Sequence, residues 1–215
     1  MNAPVRDPAA PPDILRSVAD YYAGRLREHG PTPRGVDWNS AAAQEIRFEQ
    51  ILRICDLRGP FSLLDYGCGY AALYDYLSAR RITCRYVGYD IAPDMIAAAR
   101  QRHPELPPAA LTTEAAALRP CDYVVCSGLF NVRLGTDPAR WEEYLRATID
   151  RLAALATRGF AFNALTTYSD PEKRRADLHY SDPTALFDYC KRRLARNVAL
   201  LHDYDLYEFT ILVRK

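Results

Sequence analysis

Long apolar segments are missing from this sequence of 215 residues. No run of 18 apolar positions occurs, so the sequence predicts no transmembrane helix and no membrane partner. The amino-terminal residues also lack the order of basic and then apolar residues that is typical of a secretory signal peptide. Residues 1–12 instead hold four of the 15 prolines without hydrophobic periodicity, which predicts a disordered leader. These features favour a cytoplasmic protein.

An excess of either charge is missing too, since 28 Lys and Arg face 27 Asp and Glu, a net charge of +1. Nucleic-acid-binding modules usually carry a clear basic excess, so this balance predicts no nucleic-acid partner. The six cysteines form no CxxC pair, and no histidine stands at zinc-finger spacing from them. We therefore expect reduced, mostly buried thiols and no bound metal.

Two amphipathic helices are predicted within residues 13–58, as a cap that precedes the first strand. Asp13 is the expected N-cap of the first helix, and Gly30 follows its end. The second helix begins after Asn39 or Ser40, either of which has the side chain of an N-cap.

Short apolar runs alternate with helical patterns from residue 59 onward. The predicted strands are FSLLDY (61–66), RYVGYD (85–90), DYVVCS (122–127) and FAFN (160–163), and the predicted helices lie near 70–79, 93–102 and 138–157. The last helix has Asp137-Pro138 at its start and Gly159 as its expected end. Strands that alternate with helices pair in parallel through right-handed crossovers, which predicts an α/β fold.

The end of the chain departs from this alternation. Asp182-Pro183 starts another helix, and NVALLHDY and LYEFTILVRK follow with only a tight connection between them. Parallel strands need a dozen or more linking residues, so this pair is predicted to be an antiparallel hairpin. We expect residues 59–215 to form a doubly wound, mostly parallel sheet that folds as one domain with the helical cap.

A glycine-rich loop follows the first predicted strand. Gly67-Cys68-Gly69 leads directly into a helix, whose amino terminus offers free N–H groups, and Asp90 ends the next strand, 21 residues after Gly69. A carboxylate at that point can accept both ribose hydroxyls, so the pattern predicts a cofactor that contains adenosine. Asp65 favours S-adenosylmethionine (SAM) over NAD, because a carboxylate would repel a pyrophosphate but attract the ammonium and sulfonium of SAM.

Three segments together resemble motifs of the class I, Rossmann-like SAM-dependent methyltransferases. They are LLDYGCGYAALYDYL, YVGYDIAPDMIAAAR and DYVVCSGLFN, and the helices ahead of them, with GVDWN, resemble small bacterial members that act on small molecules. The resemblance covers residues 61 to about 215. It implies a seven-stranded sheet with an antiparallel strand near the carboxyl terminus, SAM as cofactor, S-adenosylhomocysteine (SAH) as product, and no metal.

The resemblance also implies which residues hold the cofactor. Asp65, Gly67 and Gly69 would hold the methionyl end, and Asp90 would bind the ribose. The other positions implied at the cofactor are Cys68, Ile91 and Met95, Ser127 and Gly128 near the methyl group, and Glu114 or Thr113 near the adenine amine. Arg47 of the second helix is a candidate partner for the cofactor carboxylate, because a guanidinium matches a carboxylate.

The acceptor is expected at the carboxyl ends of the strands. Phe130, Asn131 and Asn163 end strands there, and Trp38 and Tyr22 are predicted to wall the opening. Three candidate bases are His179, His202 and Asp37, of use if the acceptor is a hydroxyl or an ammonium. Residues 164–181 are either a lid over this opening or an ordinary solvated loop.

The predicted activity is in-line methyl transfer from SAM to an O, N or C nucleophile of a small molecule, by a monomer or a homodimer. Two alternatives keep the same cofactor site: a non-catalytic SAM-binding regulatory or partner subunit, and an enzyme that uses SAM for chemistry other than methylation. An NAD-dependent oxidoreductase is a third, less favoured because of Asp65.

Overall fold

The computed structural model describes residues 11–215, which form six α-helices and seven strands. The helices are α1 (Pro12–His29), α2 (Ala41–Leu52), α3 (Ala72–Ala79), α4 (Pro93–Arg102), α5 (Pro138–Leu155) and α6 (Pro183–Arg193). The strands are β1 (Ser62–Tyr66), β2 (Arg85–Tyr89), β3 (Leu111–Thr112), β4 (Cys121–Cys126), β5 (Ala156–Leu165), β6 (Asn197–Leu201) and β7 (Glu208–Arg214).

All seven strands lie in one sheet, in the order β3-β2-β1-β4-β5-β7-β6. The first five pair in parallel, whereas β7 is antiparallel to both β5 and β6. The predicted doubly wound, mostly parallel fold with a carboxyl-terminal antiparallel hairpin is therefore confirmed. The strand order reverses between β1 and β4, and ligands of such sheets bind at that point, beyond the carboxyl ends of the strands.

Helices cover both faces of the sheet. On one face, α2, α3 and α4 bury a continuous apolar cluster that includes Phe48, Leu73 and Ile96. On the other face, α5 and α6 bury a second cluster that includes Ile149 and Leu186. The predicted cap helix α2 thus belongs to a layer of the main core.

Helix α1 packs outside these two layers. Ile14 and Val18 form a small buried cluster with Trp141 and Tyr144 of α5. A short 3-10 turn, Pro33–Val36, and the residues up to the start of α2 follow α1 and complete the amino-terminal cover. This third cluster fixes α1 over the carboxyl edge of the sheet, where its side chains reach the site described below.

Three helix starts follow the predicted caps. The side chains of Ser40, Asp137 and Asp182 each accept hydrogen bonds from backbone N–H groups in the first turn. Asp13 is not a cap, contrary to prediction, because Pro12 occupies the first helical position, for which its ring is preorganised. The Asp13 carboxylate instead binds the Arg140 guanidinium at 2.6 and 2.8 Å.

Gly159 does not end a helix, which corrects a second expectation. Helix α5 ends at Leu155 and β5 starts at the next residue, so Gly159 lies within the strand. A Cβ at this position would stand 2.7 Å from the Val213 carbonyl oxygen, so the glycine permits the close approach of β7. Strand β3 was also missed, because two residues carry no periodicity.

The predicted leader, residues 1–12, lies mostly outside the described part of the chain. Residues 1–10 of the predicted leader lie outside the described residues, whereas Pro11 and Pro12 cap and begin α1. Among residues 11–215, no helix combines the length and apolar character needed to cross a membrane.

The six cysteines are free thiols, as expected. Three of them, Cys68, Cys126 and Cys190, are buried. Burial raises the pKa of the Cys190 thiol to about 12, so it stays protonated and packs as an apolar side chain.

Candidate cofactor and acceptor site

The glycine loop after β1 is held by the end of β2. The backbone N–H groups of Gly67 and Cys68 both donate to the Tyr89 carbonyl oxygen, at 2.7 and 2.9 Å. Gly67 and Gly69 have φ values of +84° and +53°, in the left-handed region that glycine adopts without strain. The loop is thus fixed before any ligand arrives, with its glycines facing a cleft.

Asp90 lies at the end of β2, against this loop. Its Oδ2 atom accepts a hydrogen bond from the Gly69 N–H at 2.8 Å, and its Oδ1 atom accepts one from the Ala92 N–H at 2.9 Å. Burial raises the pKa of the Asp90 carboxyl, while both of these bonds favour the ionised form. Each oxygen keeps a lone pair, so the carboxylate can still accept hydroxyl groups.

Asp65 is the most deeply buried carboxylate of the loop, with 4% of its surface exposed. The Tyr86 hydroxyl donates to its Oδ2 atom at 2.9 Å. Burial, aided by the nearby Asp90 charge, raises the pKa of Asp65 to about 7. No cation pairs with Asp65 among residues 11–215, so no charge of the protein competes with an ammonium group that approaches this carboxyl group. The two carboxyl groups and the glycine loop therefore fit the charges and hydroxyl groups of SAM.

A pocket, here called the inner pocket, brings together nine of the predicted cofactor residues. They are Asp65, Gly67, Cys68, Gly69, Asp90, Ile91, Met95, Ser127 and Gly128. The pocket is narrow, about 90 Å³, and a Cβ on Gly69 would stand 3.3 Å from Val36 Cγ1. Val36 thus lies close to the glycine loop on one side of the inner pocket.

Two predicted cofactor residues lie elsewhere. Glu114 is exposed, and neither it nor Thr113 is among the residues that line the inner pocket. Arg47 is buried in an ion pair with Glu208, with distances of 2.8 Å from Nε to Oε2 and 3.0 Å from Nη2 to Oε1. This corrects the expectation for Arg47, because its guanidinium is already held by a carboxylate of the protein.

A second cavity, the outer pocket, has a volume of about 460 Å³ and adjoins the inner pocket. Four residues line both cavities: Tyr22, Val36, Trp38 and Gly128. Tyr22 and Trp38, which were predicted to wall the acceptor opening, are both among these four residues. The remaining lining includes Asp37, Arg47, Asn131, Lys173, Arg175, Leu178, Tyr180 and Glu208.

Trp38 is one of the four residues that line both pockets. Its indole lies so close to Gly128 that a Cβ there would come within 2.4 Å of Trp38 Cζ2. The Arg47 guanidinium carbon lies 4.0 Å from the centre of the indole ring. Gly128 has a φ of +79°, so both its conformation and its space require glycine.

Two predicted acceptor residues support the site from behind. Asn163 is fully buried, accepts a hydrogen bond from the Gly128 N–H at 2.7 Å and donates to Ser127 Oγ at 3.2 Å. Phe130 is fully buried in the core beneath α5. Neither residue lines one of the two pockets, because both side chains are buried in the interior of the protein. Asn131, the third predicted acceptor residue, lines the outer pocket.

The three candidate bases are separated by the structure. Asp37 lines the outer pocket, but Arg25 Nε lies 2.8 Å from its Oδ1 atom and the Tyr21 hydroxyl donates to its Oδ2 atom at 2.6 Å. His179 faces Glu142 of α5, with 3.3 Å from Nε2 to Oε2. His202 is exposed beyond β6, beside Tyr168.

The two histidines thus depart from the expectation that they face the acceptor. Neither His179 nor His202 is among the residues that line the two described pockets. The backbone N–H of His179 donates to the Asn131 carbonyl at 2.8 Å, while its side chain lies against Glu142 of α5.

Residues 166–181 cross the mouth of the outer pocket. The segment is anchored by Arg133, which donates to the carbonyl oxygens of Ala176 at 2.7 Å and Leu178 at 3.3 Å. Short bridges join Val132 to Leu178 and Thr166 to Ser181. The segment is therefore an ordered cover in this structure, whereas residues 164 and 165 belong to β5.

Glu208 is the site residue that the sequence analysis missed. It begins β7, is 1% exposed, and also accepts a hydrogen bond from Asn131 Nδ2 at 3.2 Å. A lone carboxylate at the head of the apolar run FTILV was the available signal, because such a strand buries both faces. No group of three or more metal-ligating side chains lies together in residues 11–215.

Comparisons with known proteins identify the family. A family model described as "Methyltransferase domain" matches residues 64–159. A curated protein of Mycobacterium tuberculosis, "Putative methyltransferase Rv1506c", is 52% identical over 164 residues, which are 76% of this chain and 99% of the relative.

Solved structures of similar fold contain the expected cofactor product. Magnesium protoporphyrin IX methyltransferase from Synechocystis, with bound SAH, has a TM-score of 0.61 and 18% identity, over 94% of this chain and 100% of that one. The N-methyltransferase NodS from Bradyrhizobium japonicum, in complex with SAH, has a TM-score of 0.61 and 19% identity, over 90% and 97%. At this identity the likeness shows the fold.

Proposed function

The chain belongs to the class I SAM-dependent methyltransferases, and on that premise we propose that it methylates a small molecule bound in the outer pocket. Its cofactor is SAM, and SAH is the product. The observation that carries the proposal is the shared wall: Tyr22, Trp38 and Gly128 line both the cofactor-side cavity and the outer pocket. An acceptor in the outer pocket would thus lie directly beside the methyl donor.

The outer pocket has the size and lining of a small-molecule site. Its volume of about 460 Å³ lies within the roughly 300–1,000 Å³ typical of such sites. Leu178, Tyr180 and Trp38 supply apolar surface, and Asn131 adds polar atoms. Two enzymes of similar fold are named for small acceptors, magnesium protoporphyrin IX and N-acetylserotonin, which supports the same class here.

The proposed cofactor contacts follow the geometry of the inner pocket. Asp90 would accept the ribose hydroxyls, and Asp65 would face the ammonium group. Gly67 and Gly69 would let the backbone approach the methionyl chain, while Ser127 and Gly128 would lie near the methyl group. When bound, SAM supplies an electrophilic methyl group on a sulfonium. Everything else in the reaction is left to the residues around it.

We propose that these residues act mainly by positioning. The acceptor would be held in line with the methyl group between Tyr22 and Trp38, and such alignment can supply about 7–11 kcal/mol of the barrier. Burial raises the pKa of Tyr22 well above its ordinary value, so its hydroxyl stays protonated and can donate to the acceptor. Of the candidate bases, Asp37 is the one at the outer pocket, with both oxygens already bonded.

The test uses SAM with a labelled methyl group and a bacterial extract divided into small molecules, proteins and nucleic acids. We expect label in the small-molecule fraction. The variant Leu178→Trp narrows the outer pocket. It should lower labelling about tenfold or more and leave SAH affinity within about threefold. Label confined to protein or nucleic acid would contradict the proposal, and so would SAH binding without labelling of any fraction.

A further inference from the structure

Trp38 stands where the two pockets meet, and its position is not set by its own segment alone. The indole touches the backbone of Gly128 on one side, with no space for a Cβ between them. The Arg47 guanidinium lies over the face of the indole ring, 4.0 Å from the ring centre. Trp38 is thus in contact with both Arg47 of α2 and the loop that follows β4.

Arg47 is itself fixed by Glu208. The two side chains form parallel hydrogen bonds of 2.8 and 3.0 Å, and Arg47 Nη1 donates to the Ala43 carbonyl at 2.6 Å. Arg47 is 8% exposed and Glu208 is 1% exposed, so both partners of these bonds are buried. A buried pair of this geometry leaves the guanidinium one orientation, with its plane available for stacking.

Glu208 also holds the opposite side of the boundary. Asn131 Nδ2 donates to Glu208 Oε1 at 3.2 Å, and Asn131 follows Gly128 in the loop after β4. One carboxylate thus contacts both the residue that stacks on Trp38 and the loop against which Trp38 rests. Stability alone does not explain such a pair, because buried ion pairs often contribute little compared with apolar residues.

We propose that Glu208 is a positioning residue which, through Arg47, fixes the Trp38 indole as the partition between the cofactor and acceptor pockets. The partition sets the direction from which an acceptor in the outer pocket reaches the methyl donor. This role rests on the proposed function only for the identity of the two ligands. The placement of Trp38 by Arg47 and Glu208 is a property of the protein without ligands.

The protein offers a direct readout, because Trp38 and Trp141 are its two tryptophans. Trp141 is fully buried and donates to the Phe130 carbonyl at 3.1 Å, so its emission should resist quenching by acrylamide. Trp38→Phe removes the emission of Trp38, so the difference from the parent protein identifies that emission. Quenching of the ligand-free protein therefore reports the freedom of the Trp38 side chain.

Two variants test the chain of contacts in different ways. Glu208→Gln removes the carboxylate that orients Arg47, and Arg47→Lys keeps the charge but loses the planar group that stacks on the indole. We expect each to raise the quenching constant of Trp38 at least about twofold, since a stacked cation contributes roughly 0.5–2 kcal/mol. Asp188→Asn, which breaks the exposed pair with Arg192, should leave it unchanged.

A double variant separates positioning from general loosening. If Glu208 acts through Arg47, adding Glu208→Gln to Arg47→Met should not raise Trp38 quenching further. Melting temperature and the resistance of Trp141 to quenching show that each variant is folded. Parental quenching of Trp38 in folded Glu208→Gln and Arg47→Lys would overturn the proposal, as would equal quenching of both tryptophans. Neither result depends on where the acceptor binds, so the labelling experiment can fail independently.

Discussion

The Asp90 carboxylate accepts a hydrogen bond from the Gly69 N–H at 2.8 Å, although the two residues stand 21 positions apart. This bond ties the end of β2 to the glycine loop that follows β1, before a ligand is present. The same carboxylate binds the Ala92 N–H at 2.9 Å, next to the start of α4. A group expected to hold ribose therefore also holds the loop that would carry the rest of the cofactor.

This double role predicts a large effect of Asp90→Ala. Loss of a charged hydrogen-bond partner should weaken SAH binding by about 1.5–3 kcal/mol, measured by calorimetric titration. Asp94→Ala is the matched control, because Asp94 lies on the exposed side of α4 and pairs only at 3.4 Å with Arg27. Equal SAH affinity in both variants and the parent would mean that ribose binds elsewhere.

Asp65 predicts a pH dependence of stability in the ligand-free protein. Burial raises its pKa from 3.8 to about 7, so the folded state binds a proton that the unfolded state has released. The free energy of unfolding is therefore not lowered by Asp65 below about pH 4, where the group is protonated in both states. It falls as pH rises from about 4 towards 7, with a slope of at most about 1.4 kcal/mol per pH unit. Urea unfolding at several pH values should show this decline, and Asp65→Asn should flatten it. A parental slope in the variant would assign the decline to other groups.

The same carboxyl predicts the opposite trend for cofactor binding. The ammonium of SAM favours ionised Asp65, so SAM affinity should rise between about pH 6 and pH 8, with release of a proton. Asp65→Asn should bind SAM more weakly and without that rise. Calorimetry in two buffers of different ionisation enthalpy measures the proton release, and its absence in the parent would place the ammonium away from Asp65.

Local patterns accounted for the framework of this fold. Alternating apolar runs and helices predicted the parallel strands, and Pro93–Arg102 forms a helix over the residues expected. The glycine loop and Asp90 were predictable because strand, loop, helix and carboxylate follow one another in the chain. The prediction that Gly159 ends a helix was wrong, because a glycine is needed there for the close approach of the Val213 carbonyl in a distant strand.

Contacts between distant segments were beyond such patterns. Arg47 and Glu208 stand 161 positions apart, so nothing near Arg47 indicated that its guanidinium was already bound. Likewise, the side chain of Asn163 was expected in the acceptor opening because the residue ends a predicted strand. Its side-chain oxygen instead accepts a hydrogen bond from the Gly128 N–H within the sheet. Tertiary pairing decides which of several polar side chains at a strand end reaches the cavity.

The cover of the outer pocket predicts a measurable local stability. Arg133→Gln removes the guanidinium that binds the Ala176 and Leu178 carbonyls, so the backbone N–H groups of His179 and Ser181 should exchange with solvent about tenfold faster or more. Arg192→Gln, at an exposed pair on α6, is the control. We also expect residues 166–181 to exchange more slowly when cofactor and acceptor are both bound. Unchanged protection in every case would make the segment an ordinary surface loop.

The placement of the two histidines leads to the last prediction. A general base must come within hydrogen-bonding reach of the proton it removes, and a lost base typically lowers the rate by about 10²–10⁴. The His179 ring instead faces Glu142, whose pKa is lowered by that contact, and the His202 ring lies against Tyr168 and Phe209. We therefore expect His179→Ala and His202→Ala to methylate the acceptor within about threefold of the parental rate, measured with the labelled-methyl assay at several pH values. Loss of Tyr22, which lines both pockets, should by contrast lower the rate about tenfold or more, and Tyr22→Phe isolates its hydroxyl. A large rate loss in His179→Ala alone, with SAH affinity intact, would show that residues 166–181 rearrange to bring this ring to the acceptor during turnover.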